Sequence, residues 1–125
     1  MLNIFNKYLL IVFVSAIGIT GQVLLKKGLG SFSHMQFDSF VAKIFTIILH
    51  PIILSALICY SVGITAYLFL LSKVELTSVY PICTALTMGG ITFMGWFILH
   101  ESLSWPKLSG ILLIIIGIFL IERFG

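Results

Sequence analysis

Charged side chains are sparse along the chain, and the apolar intervals between them predict its elements. Tyr8 to Leu25 lies between Lys7 and Lys26, Ile44 to Ser72 between Lys43 and Lys73, Leu76 to His100 between Glu75 and Glu101, and Leu108 to Ile121 between Lys107 and Glu122. About 20 apolar residues of helix cross about 30 Å of hydrocarbon, and in lipid the backbone must satisfy its own hydrogen bonds. The intervals therefore predict four transmembrane helices, over about 6–27, 51–72, 78–99 and 104–123. The last reaches spanning length by starting near Ser104, with Trp105 at the interface, Pro106 in the tolerated first turn and Lys107 snorkelling to the headgroups.

The second interval is too long for one upright span, and His50-Pro51 divides it, because proline disfavours helix in the residue before it. Upstream, Phe37, Phe40, Val41, Ile44, Phe45 and Ile48 recur at helical spacing, with Asp38, Ser39, Lys43 and Thr46 mostly opposite. This predicts an amphipathic helix over about 37–49 lying at the interface, the competing reading being an extension of the second span past the membrane. The expected fold is all-α and integral to the membrane: one four-helix transmembrane domain over 1–125 with a short amphipathic helix between the first two spans. Connections as short as Lys73 to Leu76 predict antiparallel neighbours in contact. No small-residue cleavage site precedes Lys26-Lys27, so the N-terminal run reads as a first helix and not as a signal peptide.

Composition sharpens this. Of 125 residues, 60% are hydrophobic and 9% charged, with mean hydropathy +1.22; soluble domains carry about a quarter charged residues. Nearly every residue is needed to cross the bilayer, so a separate catalytic domain is not expected, nor is any enzyme activity, metal or cofactor. The net charge of +3 comes from Lys and Arg standing singly or as Lys26-Lys27, without the basic run that nucleic acid requires. Cys59 and Cys83 lie in apolar segments without metal-ligand spacing and read as reduced thiols. Orientation is nearly balanced, with Lys7, Lys73 and Arg123 on one side against Lys26, Lys27, Lys43 and Lys107 on the other.

Polar residues inside the spans carry the chemistry, since each is costly in hydrocarbon unless partnered. Ser15, Gly18, Gln22 and Lys26 share one stripe of the first helix; Tyr60, Gly63 and Tyr67 share one on the second; Tyr80, Cys83, Thr84 and Thr87 share one on the third. Pointed together they would line a cavity, with Lys26 and Gln22 holding an anionic group and the tyrosines packing against an organic moiety. Small and hydroxyl residues also mediate plain helix packing, and that reading leads for the Thr and Gly positions. The cavity reading leads for Gln22, whose mid-span amide has four hydrogen-bonding sites. For Lys26, anion binding and snorkelling stand level. No Asp, Glu, Lys or Arg occupies the middle of any span, so no titrating group for proton exchange is apparent. Glu101 is placed either to pair with Lys107 or to cap the fourth helix. Pro81 would deprive the Thr77 carbonyl of its amide donor. Gly110 and Gly117, one heptad apart, form a candidate dimer seam, and Gly89, Gly90 and Gly95 thin the third helix.

These residues resemble the drug/metabolite transporter superfamily and, within it, the four-helix small-multidrug-resistance-like (EamA-like) branch. The resemblance covers essentially the whole chain and rests on Gly21-Gln22 followed by Lys26, Tyr80-Pro81 opening the third helix, His100-Glu101 closing it, and Gly110 to Gly117 in the fourth. Drug exporters of the branch carry a membrane-embedded glutamate in the first helix, and Gly18 stands in its place, which undermines proton-coupled cation export. The Gly-Gln, Tyr-Pro and His-Glu marks look instead like the paired small subunits that flip aminoarabinose-linked undecaprenyl phosphate across the bacterial inner membrane.

The resemblance implies a multi-pass protein of that membrane with both termini in the cytoplasm. It implies a homodimer, or a heterodimer with a related four-helix subunit, moving a polyprenyl-phosphate-linked sugar or a related amphipathic anion. Ser15, Gly18, Gln22, Lys26, Tyr60, Tyr67, Tyr80, Pro81, Thr84 and Glu101 are the expected substrate-facing residues. Two rivals stand beside it: an exporter of small metabolites or cationic drugs, and a non-transporting accessory of a membrane glycosyltransferase.

Overall fold

The computed structural model describes residues 3–125, which form five helices: α1 (Ile4–Gly30), α2 (Phe40–Ile48), α3 (Pro51–Leu71), α4 (Leu76–Phe97) and α5 (Trp105–Phe124). Local chemistry sets their ends. Ser39 caps α2, its Oγ accepting the Ala42 N–H at 3.2 Å. Pro51 starts α3 and Pro106 lies in the first turn of α5, where the missing amide hydrogen costs nothing. Pro81 falls inside α4, which begins at Leu76, slightly ahead of the expected start. α1 runs on past Lys27 to Gly30, because the lysines that mark the membrane edge are themselves good helix formers.

Hydroxyls within the apolar helices turn inward on their own backbone. Thr20, Ser61 and Thr84 donate to the carbonyls of Ala16, Leu57 and Tyr80 at 2.8 to 2.9 Å, four residues back. This removes their need for a partner in hydrocarbon.

Three helices, α1, α3 and α4, are long and apolar enough to cross a membrane. α5, with Lys107 at one end and Glu122 and Arg123 at the other, is not among them. Large apolar side chains cover the outer surface, Phe5, Phe13, Ile58, Leu68 and Phe119 all being more than half exposed. Only lipid solvates such a surface without aggregation, and the protein is a multi-pass membrane protein.

α1 is the central element. It packs most extensively on α3 and next on α4, while α5 leans on α4 and α2 barely touches α3. Glycine permits the closest approaches. A Cβ on Gly28 would stand 2.6 Å from Ile53 Cδ1, and one on Gly90 would overlap Ile19 Cδ1. The short Ser72–Glu75 connection does not press its two backbones together: α3 and α4 approach α1 far more extensively than each other, and their side chains join those of α1 in one core. The close packing expected of these sequence neighbours is thus taken mainly by α1.

The core sits toward the α3–α4 turn, where Ile11 and Val14 of α1 meet Leu70 of α3 and Val79 and Cys83 of α4. Ile11, Leu70 and Val79 have no exposed surface. Above this knot α3 and α4 flank α1 as the walls of a cleft.

Candidate functional site

The three polar stripes do converge. Ser15, Gly18 and Gln22 of α1, Tyr60, Gly63 and Tyr67 of α3, and Tyr80, Cys83, Thr84 and Thr87 of α4 line one cavity of about 310 Å³. Spacings of three and four on each helix place these side chains on the face turned to the cleft. Seven of the ten residues expected to face a substrate lie here: Ser15, Gly18, Gln22, Tyr60, Tyr67, Tyr80 and Thr84. Val14, Ile64 and Met88 also line it. Each adjoins a stripe residue in sequence, the one signal by which they were legible.

Packing and open space divide the glycines. A Cβ on Gly18 would meet nothing within 4 Å, so this position keeps the cavity wide, whereas one on Gly21 would rest 3.4 Å from Cys59 and the Tyr60 ring. The Thr84 hydroxyl is committed to the Tyr80 carbonyl. Ser15 differs: it is 4% exposed, and its Oγ has no hydrogen-bond partner among the described residues. No charged side chain lines the cavity, so its chemistry is that of hydroxyls, an amide and aromatic rings.

Charge begins one helical turn further on. A smaller crevice of about 110 Å³ is lined by Gln22, Lys26, Gly95 and Glu101, with Val23, Ile91 and Leu99. Gln22 lines both spaces. The Lys26 ammonium donates to Glu101 Oε1, and Lys107 Nζ lies 3.9 Å from Glu101 Oε2. Of the two roles expected for Glu101, pairing with Lys107 survives as the longer contact, the stronger partner being Lys26. Glu101 does not cap α5: Ser104 occupies that position without a side-chain bond.

The backbone fixes where Glu101 leaves the chain. His100 adopts the left-handed region at φ 54°, and the Glu101 N–H donates to the Gly95 carbonyl at 3.0 Å, closing the end of α4. A Cβ on Gly95 would stand 3.0 Å from Glu101 Oε2, so glycine leaves the carboxylate its room. The hydrogen bond from Lys26 holds the Glu101 carboxyl below its ordinary pKa, slight desolvation opposes this, and the charges of Lys26 and Lys107 add to the lowering.

Three expected positions lie elsewhere. Pro81 faces a separate crevice between α4 and α5, with Glu75, Thr77, Ser78 and Glu122. Gly110 and Gly117 present open backbone on α5, where an added Cβ would meet nothing within 4 Å. Cys59 and Cys83 are free thiols, and the described residues hold no group of three or more His, Cys, Asp or Glu placed to bind a metal.

No family model matches the chain, and no solved structure does. Two curated proteins are similar. One is a probable 4-amino-4-deoxy-L-arabinose-phosphoundecaprenol flippase subunit, ArnF, of Shewanella sediminis, 26% identical over 112 residues that cover 80% of this chain and 76% of that one. The other is a probable subunit ArnE of the same kind of flippase from Pseudomonas paraeruginosa, 35% identical over 68 residues, 54% of this chain and 58% of that one. The chain thus spans a little over half the length of the second. The chain is thus a multi-pass membrane protein similar to these two aminoarabinose-phosphoundecaprenol flippase subunits.

Proposed function

We propose that this protein is a transporter subunit that flips a polyprenyl-phosphate-linked sugar, or a related amphipathic anion, across the bacterial inner membrane. In this reading α5 is the fourth span, both termini are cytoplasmic, and α2 lies along the interface. The observation that carries the reading is the pair of spaces that share Gln22 in their walls: an uncharged chamber fitted for a hydroxyl-rich group, and a crevice lined by a lysine. A sugar meets Ser15, Gln22 and the tyrosines, while its phosphate reaches Lys26. The polyprenyl chain stays in lipid between the splayed walls.

Four helices enclose little, so the functional unit is a dimer, with a second copy or a related subunit. The open backbone at Gly110 and Gly117, amid exposed Leu113, Ile114 and Phe119, supplies the seam. The two similar proteins are each named as one subunit of a flippase, which supports the same arrangement. Cation export finds less support, because no carboxylate lines the cavity to hold a cation or exchange a proton.

The test is head-group flipping by the purified protein in vesicles, alone and with a related subunit. Gln22→Ala and Lys26→Ala are expected to reduce flipping at least tenfold, the scale of one lost charge-assisted hydrogen bond of about 1.5–3 kcal/mol. Unchanged flipping removes these residues from the mechanism, and proton-driven uptake of a cation in its place favours an exporter. Gly110→Leu and Gly117→Leu are expected to separate the protomers in detergent.

A further inference from the structure

Lys26, Glu101 and Lys107 meet at the end of the cleft from three separate parts of the chain: α1, the α4–α5 connection and α5. Glu101 is the one acid between two bases. It is engaged unequally, with Oε1 accepting from Lys26 and Oε2 at 3.9 Å from Lys107, a charge contact beyond hydrogen-bond range. Lys26 is also the residue that reaches the crevice shared with Gln22. A ligand anion therefore finds its cation already occupied.

Three features make that occupancy reversible. The pair is open to water, with side-chain exposures of 62% and 34%, so separating it strands no buried charge. The lysine ammonium sits on a flexible four-carbon stem and changes partner without the fixed geometry an arginine would impose. The Glu101 backbone is held by the left-handed turn at His100 and the bond to Gly95, while its carboxylate, beside the bare face of Gly95, has somewhere to turn.

We propose that Glu101 is an exchangeable partner of Lys26: an arriving phosphate takes its place on the ammonium, and the displaced carboxylate turns to Lys107. Before the exchange the two lysines share one carboxylate, and after it each faces its own anion. The exchange sets specificity as well as position, since only an anion strong enough to displace a carboxylate completes it. A phosphate brings more acceptor oxygens than the carboxylate it replaces, and a neutral lipid brings none. This inference rests on the proposed function and adds to it a residue that yields to the substrate.

The experiment measures binding of a polyprenyl monophosphate to the purified protein in nanodiscs, with the neutral polyprenol as control. The native chain, Glu101→Gln, Lys107→Met and the double variant are compared. Glu101→Gln is expected to bind the phosphate lipid about tenfold more tightly, within the usual range of coupling between sites. Lys107→Met, which removes the refuge of the carboxylate, is expected to weaken binding about threefold in the native background and to have no effect beside Glu101→Gln, the signature of coupled residues. A Lys107→Met loss of the same size in both backgrounds reflects simple attraction and overturns the exchange. Unchanged or weaker binding by Glu101→Gln, in a protein that does prefer the phosphate lipid, overturns the exchange and leaves the proposed function standing. No preference for phosphate over polyprenol in any of the four proteins overturns the proposed function itself. Should Glu101→Gln fail to fold, Gly95→Ala fills the space into which the carboxylate turns and is expected to weaken binding of the phosphate lipid; tighter or unchanged binding there overturns the exchange equally.

Discussion

Replacing Gly90 by alanine adds a methyl group where α1 already stands. The new Cβ would overlap Ile19 Cδ1 and lie 3.1 Å from Ile19 Cγ1. Cδ1 is the mobile end of a half-buried side chain and can be forced off its rotamer for about 0.5–1.5 kcal/mol. Cγ1 cannot follow easily, because a β-branched side chain in a helix is stiff at χ1, so α1 and α4 must part by a few tenths of an ångström. Together these give an overpacking cost of about 1–3 kcal/mol. Against it stands the gain of about 1 kcal/mol when alanine replaces glycine inside a helix. Gly89 isolates that gain, since a Cβ there would meet nothing within 4 Å. Equilibrium unfolding in mixed micelles, followed by Trp96 and Trp105 fluorescence, is expected to show Gly89→Ala stabilised by up to about 1 kcal/mol. Gly90→Ala should lie about 1–3 kcal/mol below Gly89→Ala. Ile19→Val removes the Cδ1 methyl, and in its presence the cost of Gly90→Ala should fall by about 1–2 kcal/mol, a coupling typical of residues in contact. If the two alanine variants are equally stable, or Ile19→Val restores nothing, α1 and α4 are not packed through Gly90.

Acid should act on the charged cluster. The folded Glu101 carboxyl lies below its ordinary value because of Lys26, so its contribution is complete above the unfolded pKa of about 4.3 and is lost as pH falls through the lower folded value. The native chain should therefore lose stability over that acid range relative to Glu101→Gln, read by thermal unfolding in detergent. His100→Gly should be neutral to mildly stabilising and His100→Val destabilising by about 1–2 kcal/mol, because a left-handed residue with a branched side chain is strained. Ser39→Ala removes the cap of α2 and should cost about 1 kcal/mol. That helix packs so lightly that the loss should appear as faster amide exchange confined to residues 40–48, with α3 unchanged.

The sequence made three spans legible because a bilayer imposes a length on them, and it made the stripes legible because helical spacing leaves few choices of face. Ser15, Gly18 and Gln22 were readable as one row before any partner was known, and the rows on α3 and α4 meet them. What could not be read was which helix lies in the middle. That depends on where glycine lets two backbones approach, and the sequence shows Gly28 and Gly90 without showing Ile53 and Ile19, which fill the space they leave. The short α3–α4 turn pointed to close packing of those helices, and both pack mainly on α1. Nor was the pairing of Lys26 with Glu101 visible. The two are 75 positions apart, and only the left-handed turn at His100 brings the acid over the end of the first helix.

The knot of Ile11, Leu70 and Val79 at the base of the cleft has a consequence for direction of travel. On the proposed function, a cargo admitted beside Lys26 would meet these interlocked aliphatic groups as a stopper at the end near Lys7 and Lys73. On that proposal, passage to the opposite leaflet would need them to separate, and the cluster itself holds no ionised group. The obstacle is dispersion contact alone, which lipid tails can replace almost in kind once the side chains part. Such a stopper is loosened by small sideways shifts of α3 and α4 against α1, and trimming any of the three aliphatic groups would leave the passage leaky.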